Sequence, residues 1–148
     1  MANILQRVGI KTTDIEAVYR ALTTREGLAS WWTTDVTGEG DKVGNTIAFK
    51  FGEAGIDMKV VTLDAPNLVE WEGVAGPAEW IGTTFRFELK QDGDYVIVLF
   101  KNLNWKEPVE FMHHCSTKWA VFLLSVKSLI ETGKGHPFPD DVKIDNWN

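Results

Sequence analysis

The densest cluster of reactive side chains is His113-His114-Cys115. Imidazole nitrogens and thiolates bind zinc, and a cysteine beside a histidine is a familiar nucleophile pair. The spacing argues against both. Consecutive helix positions point in different directions, so these three cannot converge on one ion. Glu110 and His114 stand four residues apart and share a helix face, but two ligands do not close a zinc site. On a helical wheel Cys115 falls on the apolar face and both histidines fall off it, which makes Cys115 a buried structural thiol. There is no G-x-S-x-G elbow, and the glycines from Gly38 to Gly44 lack a phosphate-loop pattern. Glu70, Glu72, Glu79 and Glu88 are scattered rather than paired for acid–base work. No catalytic residue, metal or cofactor is expected.

The other unusual feature is aromatic. Seven tryptophans, Trp31, Trp32, Trp71, Trp80, Trp105, Trp119 and Trp147, are spread along 148 residues. Large aromatics fill a wide core or line an apolar cavity. The formal net charge is −6 with no long basic run, so nucleic acid is not an expected partner. No apolar stretch approaches a membrane span, and the first residues lack the apolar run of a signal peptide. With one cysteine there is no intrachain disulfide, and a soluble cytoplasmic protein is the expectation. The length suits a single domain over residues 1–148.

The positioning elements follow from periodicity. Ile4 to Lys11 alternates as a first strand. Thr13-Asp-Ile-Glu16 is a capping box for a short helix to about Leu22, and Thr24 caps a second one carrying Leu28, Trp31 and Trp32. From Thr46 a strand meander begins. Gly52-Glu-Ala-Gly55 as a four-residue turn pairs Phe51 with Ile56, Lys50 with Asp57 and Phe49 with Met58. Asp64-Ala-Pro-Asn67 pairs Leu63 with Leu68, Val60 with Trp71 and Lys59 with Glu72. Asp92-Gly93 as a hairpin turn pairs Leu89 with Val96, Phe87 with Val98 and Phe85 with Phe100. These registers put Ile47, Phe49, Phe51, Met58, Val60, Val69, Trp71, Phe85, Phe87, Val96, Val98 and Phe100 on one face. Ile97 and Leu99 land on the outer face as a small exposed patch.

After Trp105 the period becomes helical. Pro108 suits a first helical position and Gly133 a C-terminal cap, giving one helix over Pro108 to Thr132. About 25 residues at roughly 1.5 Å each span nearly 40 Å, enough to cross a sheet. Its apolar face carries Phe111, Met112, Cys115, Trp119, Phe122, Leu123, Val126, Leu129 and Ile130. The fold class is therefore α+β, with a sheet of about 6–7 antiparallel strands packed on this helix and two short helices after the first strand.

The segments Leu28-Ala-Ser-Trp-Trp-Thr33, Val60 to Trp71, Thr83-Thr-Phe-Arg-Phe-Glu-Leu89 and Lys118 to Gly135 resemble the SRPBCC superfamily, which includes START and birch-pollen-allergen-like proteins. Within it they look most like the branch named after the activator of the ninety-kilodalton heat-shock protein ATPase. This resemblance implies the helix-grip fold, a curved sheet wrapped around the long helix with a cavity between them. It also implies two kinds of partner, a hydrophobic ligand or a chaperone. In the eukaryotic activator a separate N-terminal domain contributes to chaperone binding, and 148 residues leave no room for it.

Ligand sites are mostly apolar with a few placed polar groups. The cavity-lining candidates are Trp32, Phe49, Met58, Trp71, Phe87, Val98, Trp119 and Phe122, with Trp80 and Trp105 near the rim. Three readings stay open. The first is a binding domain for a hydrophobic or aromatic small molecule. The second is a protein-interaction module with an outer patch such as Ile97, Leu99, Val121 and Leu124. The third is an enzyme acting on a hydrophobic substrate such as a polyketide.

Overall fold

The computed structural model describes residues 1–148. Strand β1 (Ala2–Lys11) leads into helices α1 (Ile15–Thr23) and α2 (Arg25–Trp31). Strands β2 (Asp35–Thr37), β3 (Thr46–Phe51), β4 (Ala54–Asp64), β5 (Leu68–Ala75), β6 (Thr84–Asp92) and β7 (Tyr95–Trp105) follow, and then α3 (Glu110–Thr132). A 3-10 turn, Ala78–Trp80, interrupts the path from β5 to β6. The strands form one open antiparallel sheet in the order β1-β7-β6-β5-β4-β3-β2. This is the α+β helix-grip arrangement expected from the sequence.

The helix ends show their chemistry directly. Asp14, not Thr13, caps α1, accepting from the Ala17 N–H at 3.1 Å. A carboxylate there also complements the positive end of the helix dipole. Thr24 serves two helices: its hydroxyl donates to the Arg20 carbonyl at 2.8 Å and accepts from the Gly27 N–H at 3.0 Å. Pro108 lies outside α3, because Val109 is still extended (φ −70°, ψ 168°) and the helix begins at Glu110. At the other end Gly133 adopts φ +85° and donates to the Leu129 carbonyl, a left-handed cap that favours glycine.

Two of the three expected hairpin registers are corrected by two residues. Both turns contain two residues and begin on a glycine in the left-handed region, Gly52 (φ +69°) and Gly93 (φ +59°), as in type II′ hairpins. Phe49 therefore faces Ile56, Lys50 faces Gly55 and Asp57 faces Ala48, so the expected Lys50–Asp57 pair does not form. Likewise Phe87 faces Phe100, Leu89 faces Val98 and Phe85 faces Asn102. A slip of two keeps every side chain on its face. Val60–Trp71 and Lys59–Glu72 pair as expected, but an irregularity between Val60 and Thr62 sets Leu63 opposite Val69 rather than Leu68.

The inward face is buried as the alternation requires, with Phe51 half-buried at the rim. Ile97 is a further correction. It does lie on the outer face, but only 5% of it is exposed. Gly9 leaves a gap beside it that the Ile97 and Tyr95 side chains fill. Nearby on that face Arg86 bonds Glu70 at 2.9 Å and Glu88 at 2.6 Å, and Lys101 bonds Glu88 at 3.0 Å. The Arg86 hydrogen bond, reinforced by Lys101, holds the Glu88 carboxyl below its ordinary range.

The sheet closes on α3 from both sides. Toward one edge Gln6 of β1 bonds the Ser116 carbonyl at 2.9 Å, and Lys127 bonds the Gly9 carbonyl. Toward the other, Phe122 meets Phe51 of β3 at 6.4 Å between ring centroids. Thirty buried residues join into one core cluster between them.

Candidate functional site

Beyond Gly133 the chain doubles back. The Ser125 hydroxyl donates to the Trp31 carbonyl at 2.8 Å and accepts from the His136 N–H at 2.7 Å. Phe138 then pairs with the backbone after α2: its N–H donates to the Trp32 carbonyl at 2.8 Å, and its carbonyl accepts from Thr34 at 3.2 Å. Two polar contacts hold the rest of this tail on α3. Lys118 pairs with Asp141, whose other oxygen meets Lys143 at 2.7 Å. His114 Nδ1 lies 2.7 Å from the Asp145 carboxylate.

Between α3, the β3–β4 hairpin, the loop after β5 and this tail lies an apolar crevice. Its outer part is a cavity of about 520 Å³. Trp32, Phe51 and Ile56 form one wall, Phe111, Lys118 and Phe122 another, and Phe138, Trp147 and Asn148 of the tail edge the mouth. An inner chamber of about 120 Å³ adjoins it, sharing Ile56, Pro77, Phe111, His114, Lys118 and Phe122. Trp80, Cys115 and Trp119 are added there. The outer volume lies within the range of ordinary small-molecule sites. A separate groove of about 680 Å³ borders Ile81, Asn104, Trp105 and Val109, and Glu79, Lys106 and Glu107 make it more polar.

Polar groups are few and mostly engaged. Lys118 Nζ donates to the Val142 carbonyl at 2.7 Å and the Asn148 carbonyl at 3.1 Å, besides pairing with Asp141. Burial raises the pKa of Asp141, but hydrogen bonds from Lys118 and Lys143 outweigh it and hold the group ionised below its ordinary range. The His114 hydrogen bond likewise lowers Asp145. Burial pushes the Cys115 thiol up to about 12, so it stays protonated and is no nucleophile at neutral pH. His113 is exposed, apart from His114.

The chain matches the family described as Activator of Hsp90 ATPase homolog 1-like protein over residues 12–131. It belongs to this family. Among solved structures, the Aha1 dimer from Colwellia psychrerythraea is 47% identical, covering 91% of this chain and 100% of that chain with a TM-score of 0.83. A protein from Staphylococcus saprophyticus is similar at 15% identity, covering 90% of this chain and 95% of that one, with a TM-score of 0.75. CalU16 from Micromonospora echinospora is 13% identical over 86% of this chain and 73% of that chain, with a TM-score of 0.72. The last two likenesses speak for the fold alone. No curated protein sequence matches.

Within this Activator of Hsp90 ATPase homolog 1-like fold the eight candidates occupy two layers. Trp32, Trp119 and Phe122 reach the crevice wall. Phe49, Met58, Trp71, Phe87 and Val98 are buried behind them. Trp32 joins the layers, lying 4.3 Å from Phe49, 5.0 Å from Trp119 and 6.0 Å from Trp71 between centroids. Trp80 and Trp105, expected near the rim, are both buried: Trp80 lines the inner chamber and Trp105 the separate groove. Lys118, His114 and the tail residues were missed. A wheel puts Lys118 at the edge of the apolar face, beside Phe111 and Leu129, and nothing local reveals that Asp141, more than twenty residues on, returns to cover it. No helix of the chain is long and apolar enough to cross a membrane.

Proposed function

We propose that this protein binds an apolar or aromatic small molecule in the crevice between α3 and the sheet. The observation that carries this reading is the pair of adjoining cavities, about 520 and 120 Å³, at the aromatic wall of Trp32, Trp119 and Phe122. Indole and phenyl faces give large contact area and stack readily on planar ligands. Phe49, Met58, Trp71, Phe87 and Val98 back that wall and fix its shape. A thermal-shift and tryptophan-fluorescence screen against fatty acids, flavonoids and polyketide-like aromatics tests it. A saturable response from at least one class is expected, and silence from all of them would overturn it.

The family membership favours a second reading, a protein-interaction module acting on a heat-shock ATPase. Its test is the ATPase rate of the ninety-kilodalton chaperone with and without this protein; an unchanged rate rejects it. The Colwellia relative is described as a dimer, and by extension we expect this chain to self-associate as a dimer, which sedimentation equilibrium would show or exclude.

A further inference from the structure

Five of the seven tryptophans are sorted by what their indole N–H meets. Trp31 Nε1 donates to the Ala21 carbonyl at 2.7 Å, and Trp105 Nε1 to Asn102 Oδ1 at 2.7 Å. The Nε1 atoms of Trp71 and Trp119 are buried without a partner, and that of Trp80 has only the weak acceptor Cys115 sulfur beside it. Leaving a buried donor unpaired is expensive, and native structures rarely do so without a reason. Trp71 sits in the filled core. Trp80 and Trp119 both line the inner chamber, their rings stacked with centroids 6.3 Å apart. Apart from the sealed, protonated Cys115 thiol, the other polar side chains of that chamber already have partners: Lys118 holds Asp141, and His114 holds Asp145.

We propose that the inner chamber is a hydrogen-bonding subsite, in which an uncharged oxygen acceptor at the buried end of the ligand accepts from the indole N–H groups of Trp119 and Trp80. This rests on the crevice being the ligand site and adds a chemical class to it: an apolar molecule carrying a ketone, ether or ester oxygen. An anion is disfavoured. The one ammonium there is already neutralised by Asp141, and the chamber wall holds no other fixed positive charge. Indole donors offer hydrogen bonds without charge, and a site with such donors discriminates for ligands that carry the acceptor.

The test uses a pair of probes of similar size, acetophenone and isopropylbenzene, in which a carbonyl oxygen of the first gives way to a methyl on a saturated carbon in the second. In a proton–nitrogen correlation spectrum the ketone should shift the indole N–H signals of Trp80 and Trp119 downfield and leave those of Trp31 and Trp105 in place. Isopropylbenzene should move neither pair in that sense. Trp119→Phe and Trp80→Phe keep a ring but delete the N–H. Each should lower the ketone-to-hydrocarbon affinity ratio by on the order of fivefold, the net worth of one hydrogen bond. If both probes bind but the ratio survives and the indole signals stay unmoved, the subsite is refuted while the crevice reading stands. Binding of neither these probes nor any screened ligand removes the crevice reading itself. Should Trp119→Phe fail to fold, Trp80→Phe and the wild-type spectrum still decide.

Discussion

Lys118, on the crevice side of α3, is ion-paired with Asp141 of the C-terminal tail, and the Asp141 side chain is wholly enclosed. Removing one member of such a pair leaves an uncompensated charge in a poorly solvated place. Asp141→Asn should therefore destabilise the protein by about 3 kcal/mol in urea unfolding. Replacing both members, Lys118→Met with Asp141→Leu, should recover most of that loss. A single variant as stable as the wild type would show that the pair does not hold the tail.

The same tail makes a prediction about acid. Asp141 and Asp145 both ionise below their ordinary range when folded, through Lys118 and Lys143 for the first and His114 for the second. A lowered folded value means the stabilising contribution is complete above the unfolded value, about 3.9, and is lost as pH falls through the lower folded values. These carboxylates should therefore keep the tail docked down to about pH 4 and release it below. The indole N–H signal of Trp147, which lies 5.5 Å from His114 between ring centroids, reports the release. A Trp147 signal unchanged to pH 2 would contradict it.

Gly73 supports the inner chamber from behind. A Cβ at this position would run into the Trp80 carbonyl, while the Gly73 backbone bonds both Thr83 and Gly82. Gly73→Ala should cost about 2 kcal/mol, as overpacking typically does, and should displace Trp80, visible as a changed indole signal. Val74→Ala, at an exposed neighbour, should do neither.

Much of this architecture was readable from local chemistry. The period of α3 and the Gly133 stop placed the helix, and alternation from Ile47 to Phe100 sorted the sheet faces. Turn length was harder. Asp92-Gly93 looks like the two-residue loop, but Gly93 supplies the left-handed first position, so the loop is Gly93-Asp94 and the register moves by two. The faces survived because side-chain direction depends only on parity. The crevice was half legible. Trp32, Trp119 and Phe122 follow from periodicity, whereas His114, Lys118, Phe138 and Trp147 meet only because the tail folds back. That return rests on Ser125 and Asp141, each polar and buried, and no pattern within a window of one helix announces it.

Trp32 is the joint between core and crevice, touching Phe49, Phe51, Trp71, Trp119 and Phe122. Trp32→Ala should therefore remove about 4 kcal/mol of stability and weaken ligand binding together. Phe111→Ala, at a half-buried position on the crevice wall, should affect binding more than stability. Equal stability losses for the two would argue against the layered arrangement.

Ligand occupancy of the crevice is tested most directly by blocking it without touching the core. Ala54 borders the outer cavity, stands opposite Phe51 on the face that carries Ile56, and is exposed, so a larger side chain there reaches over the crevice. Calorimetric titration of the tightest ligand from the screen should give saturable one-to-one binding to the wild type. Ala54→Phe should bind it at least about tenfold more weakly, a difference of about 1.4 kcal/mol, with its melting temperature unchanged. Equal affinity in the two proteins would place the ligand elsewhere and contradict the account.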